Sequence, residues 1–197
     1  MDKHYIFGYG SLINSASRRI TGIAGDSIPV RVHGLQRYWV SFTGVDMRAV
    51  GVRLEAQSQC NGVLFDVPAS ELGKFDLRER GYVRQALDHQ HIEYLEAGSP
   101  VSLSALSDHP VWVYTYPDCP RESQFSPISQ SYLDVIILGC LEVGESFARE
   151  FLQHTNLWQD WHDDRLNPRY PRATEHDQHE YLDDLIGQMR KELQHRY

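Results

Sequence analysis

The chain has 197 residues, 41% of them hydrophobic and 23% charged, and a chain of this length can bury a core without disulfides or metals as one domain. A formal charge of −8 speaks against nucleic acid or an anionic membrane as partner, since either attracts clustered Lys and Arg. No apolar run is long enough to cross a bilayer and nothing leader-like precedes Tyr5, so a cytoplasmic location and small-molecule chemistry are expected. Cys60, Cys119 and Cys140 are odd in number and widely spaced, which fits reduced thiols better than a disulfide framework or a zinc knuckle.

In chain order, Tyr5–Phe7 reads as a first strand and runs into the glycine-containing stretch Phe7-Gly8-Tyr9-Gly10-Ser11-Leu12. Further β-like runs follow at Val30–Phe42, Val50–Leu54 and Val63–Val67, separated by Gly and Asn. A helix is expected from Pro68-Ala69-Ser70, with Ser70 as its cap, through Glu79 to a stop at Gly81. Strand patterns return at Gln90–Leu95 and Val111–Tyr116. The last third is helical. One helix opens at Ser126-Pro127 with Ile128, Tyr132, Val135, Ile136 and Cys140 in phase, a second spans Glu145–His154, and a third begins at Thr174 with Asp177 as capping-box partner. Its packing face is read as Tyr181, Leu182, Leu185, Ile186, Met189 and Leu193. The fold class is therefore α+β, a mixed β-barrel or strongly curled sheet of about six strands with flanking helices. One domain is expected over 1–197, with residues 157–197 as a C-terminal extension packed on it.

The stretch after the first strand can expose backbone N–H groups to an anion or a developing oxyanion. It is not a Walker loop, lacking Gly-Lys-Ser/Thr, nor a dinucleotide fingerprint, because Ile13 stands where a third glycine is required. The plain alternative is a tight turn whose glycines supply positive φ. On the expected helix, Leu72, Phe75 and Glu79 share a face, which sets a carboxylate where an apolar residue belongs. Burial and the helix C-terminus would both raise its pKa. Its plain alternative is an ion pair with a distant Arg53 or Arg165, since Arg78 and Arg80, as sequence neighbours, would point elsewhere on a helix.

These residues resemble a known family. Phe7-Gly8-Tyr9-Gly10-Ser11-Leu12 resembles the N-terminal Tyr-Gly-Ser signature of the γ-glutamyl cyclotransferase superfamily, and Phe75-Asp76-Leu77-Arg78-Glu79-Arg80-Gly81-Tyr82 resembles its catalytic-glutamate segment. The similarity extends to Val111-Trp112-Val113-Tyr114-Thr115-Tyr116 and to the helix opening at Pro127. The resemblance implies that Tyr9, Gly10, Ser11 and Leu12 hold a γ-glutamyl group, that Glu79 is the acid/base, and that Tyr82 and Tyr114 line the pocket. The implied reaction releases 5-oxoproline from a γ-glutamyl peptide or amine without metal or cofactor. Leu12 follows Ser11 as in the glutathione-acting branch and some bacterial relatives, whereas other branches carry Asn. The spacing of Tyr82 from Glu79 varies among branches, and Leu157–Arg172 has no counterpart in the characterised ones.

Cyclisation of a γ-glutamyl group joins an amine and a carbonyl of one molecule, so a cradle and one base can serve, with no Ser or Cys nucleophile. A protein that binds γ-glutamyl ligands without turning them over is the alternative. A metal-dependent hydrolase would draw on His176-Asp177-Gln178-His179, or on His154 with His162-Asp163-Asp164, and solvent-facing histidines are the commoner reading of both. The aromatic and Arg-rich run Leu157–Arg172 reads first as a packed tail. Its functional alternatives are a lid presenting Arg165 or Arg169 to a substrate carboxylate, or a homodimer contact on Trp158 and Trp161.

Overall fold

In the computed structural model of the chain, residues 3–41, 46–95, 106, 108–116, 126–158, 160–173 and 176–194 are described. A long hairpin forms the frame, its strands β2 (Ser27–Ser41) and β3 (Arg48–Pro68) running antiparallel. The first strand, β1 (Lys3–Gly8), pairs with the second half of β3, placing Gly8 beside Val63. On the other side of β1 lies β6 (Val111–Thr115) in parallel, followed outward by β4 (Val83–Ala86). At the opposite edge β5 (Ile92–Tyr94) pairs with β2, and the short β8 (Thr155–Asn156) adds to the far end of β2. The sheet order β4-β6-β1-β3-β2-β5 leaves β4 and β5 as edges among the described residues. The expected barrel is thus corrected: the α+β class and the mixed sheet hold, but the sheet does not close.

The runs read as two strands at Val50–Leu54 and Val63–Val67 belong to the one 21-residue β3. Pairing steps from His33↔Gln59 to Leu35↔Leu54, so Glu55–Ser58 stand opposite Gly34 alone, whose φ is +84°. This bulge bends the hairpin, and the polar residues on its outside split the sequence pattern.

Four helical expectations change. Helix α1 (Ser15–Thr21), capped by Asn14 accepting from the Ser17 amide, has no strong apolar period. The expected helix after Pro68 begins as a 3-10 turn over Ala69–Glu71 and continues as α2 (Leu72–Arg78), with no capping bond from the Ser70 side chain. Pro127 does not open a helix. It precedes β7 (Ile128–Ser129), which pairs with β9 (Trp161–His162), and α3 then spans Gln130–Val143. Helix α4 is Glu145–Gln153, and α5 starts at His179 and ends at Gln194. Thr174, Cys119 and Phe42 lie outside the described residues.

Helix α3 crosses the core with Leu133, Ile136 and Ile137 fully buried. It comes so close to the chain after β1 that a Cβ at Gly139 would stand 2.5 Å from Asn14 Cα, so no larger residue fits there. Leu182, Leu185 and Ile186 of α5 are buried as expected, while Tyr181 is exposed. Cys60 and Cys140 are free and buried, their thiols pushed up to about 11 and about 12 by burial. Among the described residues no helix is long and apolar enough to cross a membrane.

Candidate active site

The chain leaves β1 at Gly8 and winds into a 3-10 turn over Ser11–Ile13. The amides of Ile13 and Asn14 bond back to the carbonyls of Gly10 and Ser11, which leaves the Ser11 and Leu12 amides without an acceptor inside the turn. Neither Gly8 nor Gly10 has positive φ. The glycine at position 8 is required by proximity instead, since a Cβ there would meet Leu12 Cβ at 2.9 Å.

Guanidinium groups hold this turn from behind. Arg18 Nη1 donates to the carbonyls of Leu12 (2.8 Å) and Ile13 (2.6 Å). Arg37, fully buried, reaches the Tyr9 carbonyl at 3.3 Å while also bonding Asn61, Thr155 and Phe151. Each carbonyl so held turns the amide of its own peptide unit the other way, which concerns Gly10, Ile13 and Asn14, the last two already bonded to Gly10 O and Ser11 O. Neither arginine carried a sequence signal: Arg37 acts across separations of 24 residues and more, and Arg18 folds back on carbonyls five and six residues before it.

The opposite wall is the end of α2. The helix stops at Arg78, and Glu79 turns out of it at φ −89°, ψ 25°, ahead of Gly81 at φ +107°. Its amide still makes the helical bond to Phe75 O at 2.9 Å, and Arg78 Nε lies 3.2 Å from Glu79 Oε1. The expectation that Arg78 is a poor partner for Glu79 fails, because a long guanidinium side chain at a helix end reaches its sequence neighbour. The alternative pairings fail as well, Arg53 binding Gln36 and Arg165 binding Asp134 and Asp183. Arg78 is itself a hub, donating to Ser17 O (2.7 Å), Thr21 Oγ1 (2.6 Å), Ser17 Oγ (2.9 Å) and Ser11 Oγ (3.1 Å).

Tyr9, Gly10, Ser11, Leu12, Glu79, Tyr82 and Tyr114, far apart in sequence, line one cavity together with Phe7, Val50 and Tyr132. It is open on one side, with a cavity volume of about 30 Å³. The Glu79 side chain is 16% exposed. Burial raises its pKa, against the pull of the Arg78 and Arg172 charges. The surrounding tyrosines remain phenols: burial first, with Glu79 contributing, raises Tyr9, Tyr82, Tyr114 and Tyr132. The Tyr9 hydroxyl donates to the Tyr114 carbonyl, Tyr82 to Val50 O at 2.8 Å and Tyr114 to Asp76 Oδ1 at 2.9 Å. Tyr132, read from sequence only as a packing residue of α3, accepts from the Val50 amide at 3.4 Å.

The segment after Leu157 completes this wall. Tyr170 meets Tyr132 edge to face, ring centroids 4.7 Å apart, and its hydroxyl lies 3.5 Å from Arg78 Nη2. Asp164 is buried and accepts from Ser131 N (2.8 Å), Ser131 Oγ (2.7 Å) and Arg169 N (2.8 Å), so a carboxylate from a distant segment caps α3 in place of its own Ser129. Burial pushes the Asp164 carboxyl up, but the bonds from Ser131 and Arg169 outweigh it and the pKa falls. Trp158 packs on Trp39 and Trp161, and Trp161 donates to Gln130, so both indoles are engaged within the chain.

The metal candidates separate differently. Asp134, His176 and His179 bring three ligand atoms within 4.8 Å of one another, but Arg165 already takes both Asp134 oxygens at 2.6 and 3.0 Å, and Gln130 takes one at 2.6 Å. A guanidinium thus occupies the cation position. Asp164 is spent on the α3 cap, and His154 faces Glu150 at 3.7 Å.

The family described as gamma-glutamyl cyclotransferase, AIG2-like matches residues 6–134. No curated protein matches the chain. Among solved structures, one titled gamma-glutamyl cyclotransferase superposes with a TM-score of 0.58 at 14% identity, covering 95% of this chain and 99% of that one. An uncharacterized Homo sapiens protein, loc79017, gives 0.55 at 16% identity over 95% and 99%. YkqA from Bacillus subtilis gives 0.58 at 19% identity over 81% of this chain and 56% of that one. At these identities the likeness is one of fold. With its family match running from β1 into α3, across the turn, Glu79 and Tyr132, the chain belongs to the γ-glutamyl cyclotransferase, AIG2-like family.

Proposed function

We propose that the chain is a γ-glutamyl cyclotransferase that releases 5-oxoproline from a γ-glutamyl peptide or amine, with Glu79 as its proton-transfer residue. The observation that carries this reading is the shared cavity: a carboxyl with raised pKa and the turn of Tyr9–Leu12 face the same space.

The substrate α-amine must lose a proton before it attacks the γ-carbonyl, and the departing amine must gain one. An ammonium that becomes a lactam N–H gives up two protons, one before attack and one after it, and the departing nitrogen takes up two to leave as an ammonium. Glu79 relays them one at a time. The C–N bond of the five-membered lactam forms as the γ-amide C–N bond breaks, with no net gain or loss of protons. The Ser11 and Leu12 amides are suited to the oxyanion of the tetrahedral intermediate. A raised pKa brings the carboxyl nearer the working pH, where general acid–base help is worth about 10²–10⁴-fold, and holding amine and carbonyl together can supply on the order of 7–11 kcal/mol more. The cavity is open on one side, so a γ-glutamyl group need not fit wholly within it.

The experiment is 5-oxoproline release across a panel of γ-glutamyl amino acids, peptides and amines, with Glu79→Gln as the inactive control. A Glu79→Gln protein as active as the parent refutes the assignment. The Arg78–Glu79 contact at 3.2 Å favours a second reading, a γ-glutamyl-binding protein without turnover. That reading predicts heat of binding by calorimetry with no substrate consumed.

A further inference from the structure

Arg78 touches both halves of the candidate site from behind. Its side chain is 4% exposed, its Nε lies 3.2 Å from Glu79 Oε1, and its Nη2 donates to Ser11 Oγ at 3.1 Å. Glu79 and Ser11 both line the cavity, whereas Arg78 does not. The far side of the same guanidinium is anchored in α1: Nη1 donates to Ser17 O and Thr21 Oγ1, and Nη2 to Ser17 Oγ. A planar fork bonded on several sides has one orientation, and it imposes a fixed position on the carboxylate that its Nε touches.

The two oxygens of Glu79 thereby become unequal. Oε1 faces Arg78 Nε, and Oε2 takes no hydrogen bond from the described residues. An oxygen with free lone pairs is the one able to take up a proton. The other groups around the carboxyl leave this division intact. Tyr9, Tyr82 and Tyr114 give their hydroxyl protons to Tyr114 O, Val50 O and Asp76 Oδ1, and Tyr132 accepts from the Val50 amide. Asp76, the other carboxylate of α2, is turned to Tyr114 and to Arg84 Nη1 at 3.3 Å. Arg80 is exposed, and the charge of Arg172 acts on Glu79 less than that of Arg78.

We propose, building on the cyclotransferase reading, that Arg78 is a positioning residue: one guanidinium fixes Glu79 by Oε1 and the turn by the Ser11 hydroxyl, leaving Oε2 as the oxygen that relays protons between the two nitrogens of the substrate. A lysine, with a single nitrogen, cannot span the carboxylate, Ser11 and α1 together.

The test follows 5-oxoproline release against pH in Arg78→Lys and Arg78→Gln. Loss of the fork is expected to lower kcat about 10- to 100-fold in both, with KM within about threefold of the parent, the cost of a base displaced by about 1 Å. The pH profile separates the hold from the charge. In Arg78→Lys a cation remains and the acid limb of kcat/KM stays within about half a pH unit of the parent's, whereas in Arg78→Gln it lies about 1–3 pH units higher, as for a carboxylate that loses a neighbouring cation. Thr21→Val, which removes one anchor in α1, keeps both kcat and limb. A kcat in Arg78→Lys equal to the parent's, or an acid limb in Arg78→Gln at the parent's position, overturns the proposal. A melting temperature lowered with kcat and limb unchanged also overturns it, leaving Arg78 a structural residue. If the Arg78 variants do not fold, or if no γ-glutamyl compound is consumed and the cyclotransferase reading has failed, NMR of the parent decides. The Arg78 Nε–H resonance is expected to move with pH as the Glu79 carboxyl titrates, and to lose that movement in Glu79→Gln. A resonance that follows Glu79 upholds the hold on the carboxyl, and one that does not overturns it.

Discussion

Asp134 and Glu79 are both drawn out of water beside a guanidinium, and they are satisfied to different degrees. Asp134 takes Arg165 across both oxygens at 2.6 and 3.0 Å, with Gln130 at 2.6 Å and His176 Nε2 at 3.4 Å. Glu79, among the described residues, takes one contact, Arg78 Nε at 3.2 Å, and its pKa is raised by burial despite that partner. A carboxylate whose lone pairs are filled by fixed donors is a structural joint, whereas one left short can accept a proton or a ligand.

The largest effect that separates the two should come from Glu79→Gln, which is expected to reduce 5-oxoproline release by about 10²–10⁴-fold. A raised native pKa means that ionisation of Glu79 opposes folding, so stability declines as pH climbs from the unfolded carboxyl value through the native one. Urea titrations at several pH values should show this decline in the parent and a flatter profile in Glu79→Gln. The same shift puts the acid limb of the kcat/KM profile above an ordinary glutamate, near pH 4.3, with activity falling as pH drops through the limb.

At Asp134 the loss should fall on stability instead. Arg165→Ala strands a buried charge and is expected to cost about 3–5 kcal/mol in chemical denaturation. The pair replacement Asp134→Leu with Arg165→Met should cost less than Arg165→Ala, because nothing charged is left behind. If the single variant is as stable as the parent, the distinction between joint and reactive group does not hold.

Asp164→Ala is expected to cost about 2 kcal/mol, the loss of a helix cap and of its charged hydrogen bonds. Its folded pKa is depressed, so this stability is present above the unfolded carboxyl value, about 3.9, and is lost as pH falls through the native value. Thermal melts of parent and variant should converge in acid. Tyr114→Phe should be the mildest change, about 1 kcal/mol or less, because its hydroxyl partner Asp76 is 43% exposed and water can replace it.

The comparison also marks what sequence could carry. Glu79 and the Tyr9–Leu12 turn were legible because each lies in a short run with its own composition. Arg78 was misjudged because sequence adjacency was taken to exclude contact, whereas its long side chain at the helix end reaches the neighbouring carboxylate. Arg37 and Tyr132 left no local mark of a place at the site, and Tyr170 only its membership of the aromatic, Arg-rich run. Their meaning comes from separations such as the 39 residues between Ser131 Oγ and the Tyr170 amide it receives. The sheet was legible strand by strand, while its open edges depend on pairings that periodicity does not encode. The short β4 and β8 were missed for want of length to show alternation.

The cap that Asp164 places on α3 binds two stretches of chain made at different times. During synthesis α3 leaves the ribosome with its first turn bare, and the ring of Tyr170 that backs Tyr132 has not yet been translated. A nascent chain halted before residue 164 therefore holds the Tyr9–Leu12 turn and Glu79 without the finished wall. The hydrogen-exchange rate of the Ser131 amide then becomes a direct gauge of whether Asp164 has docked.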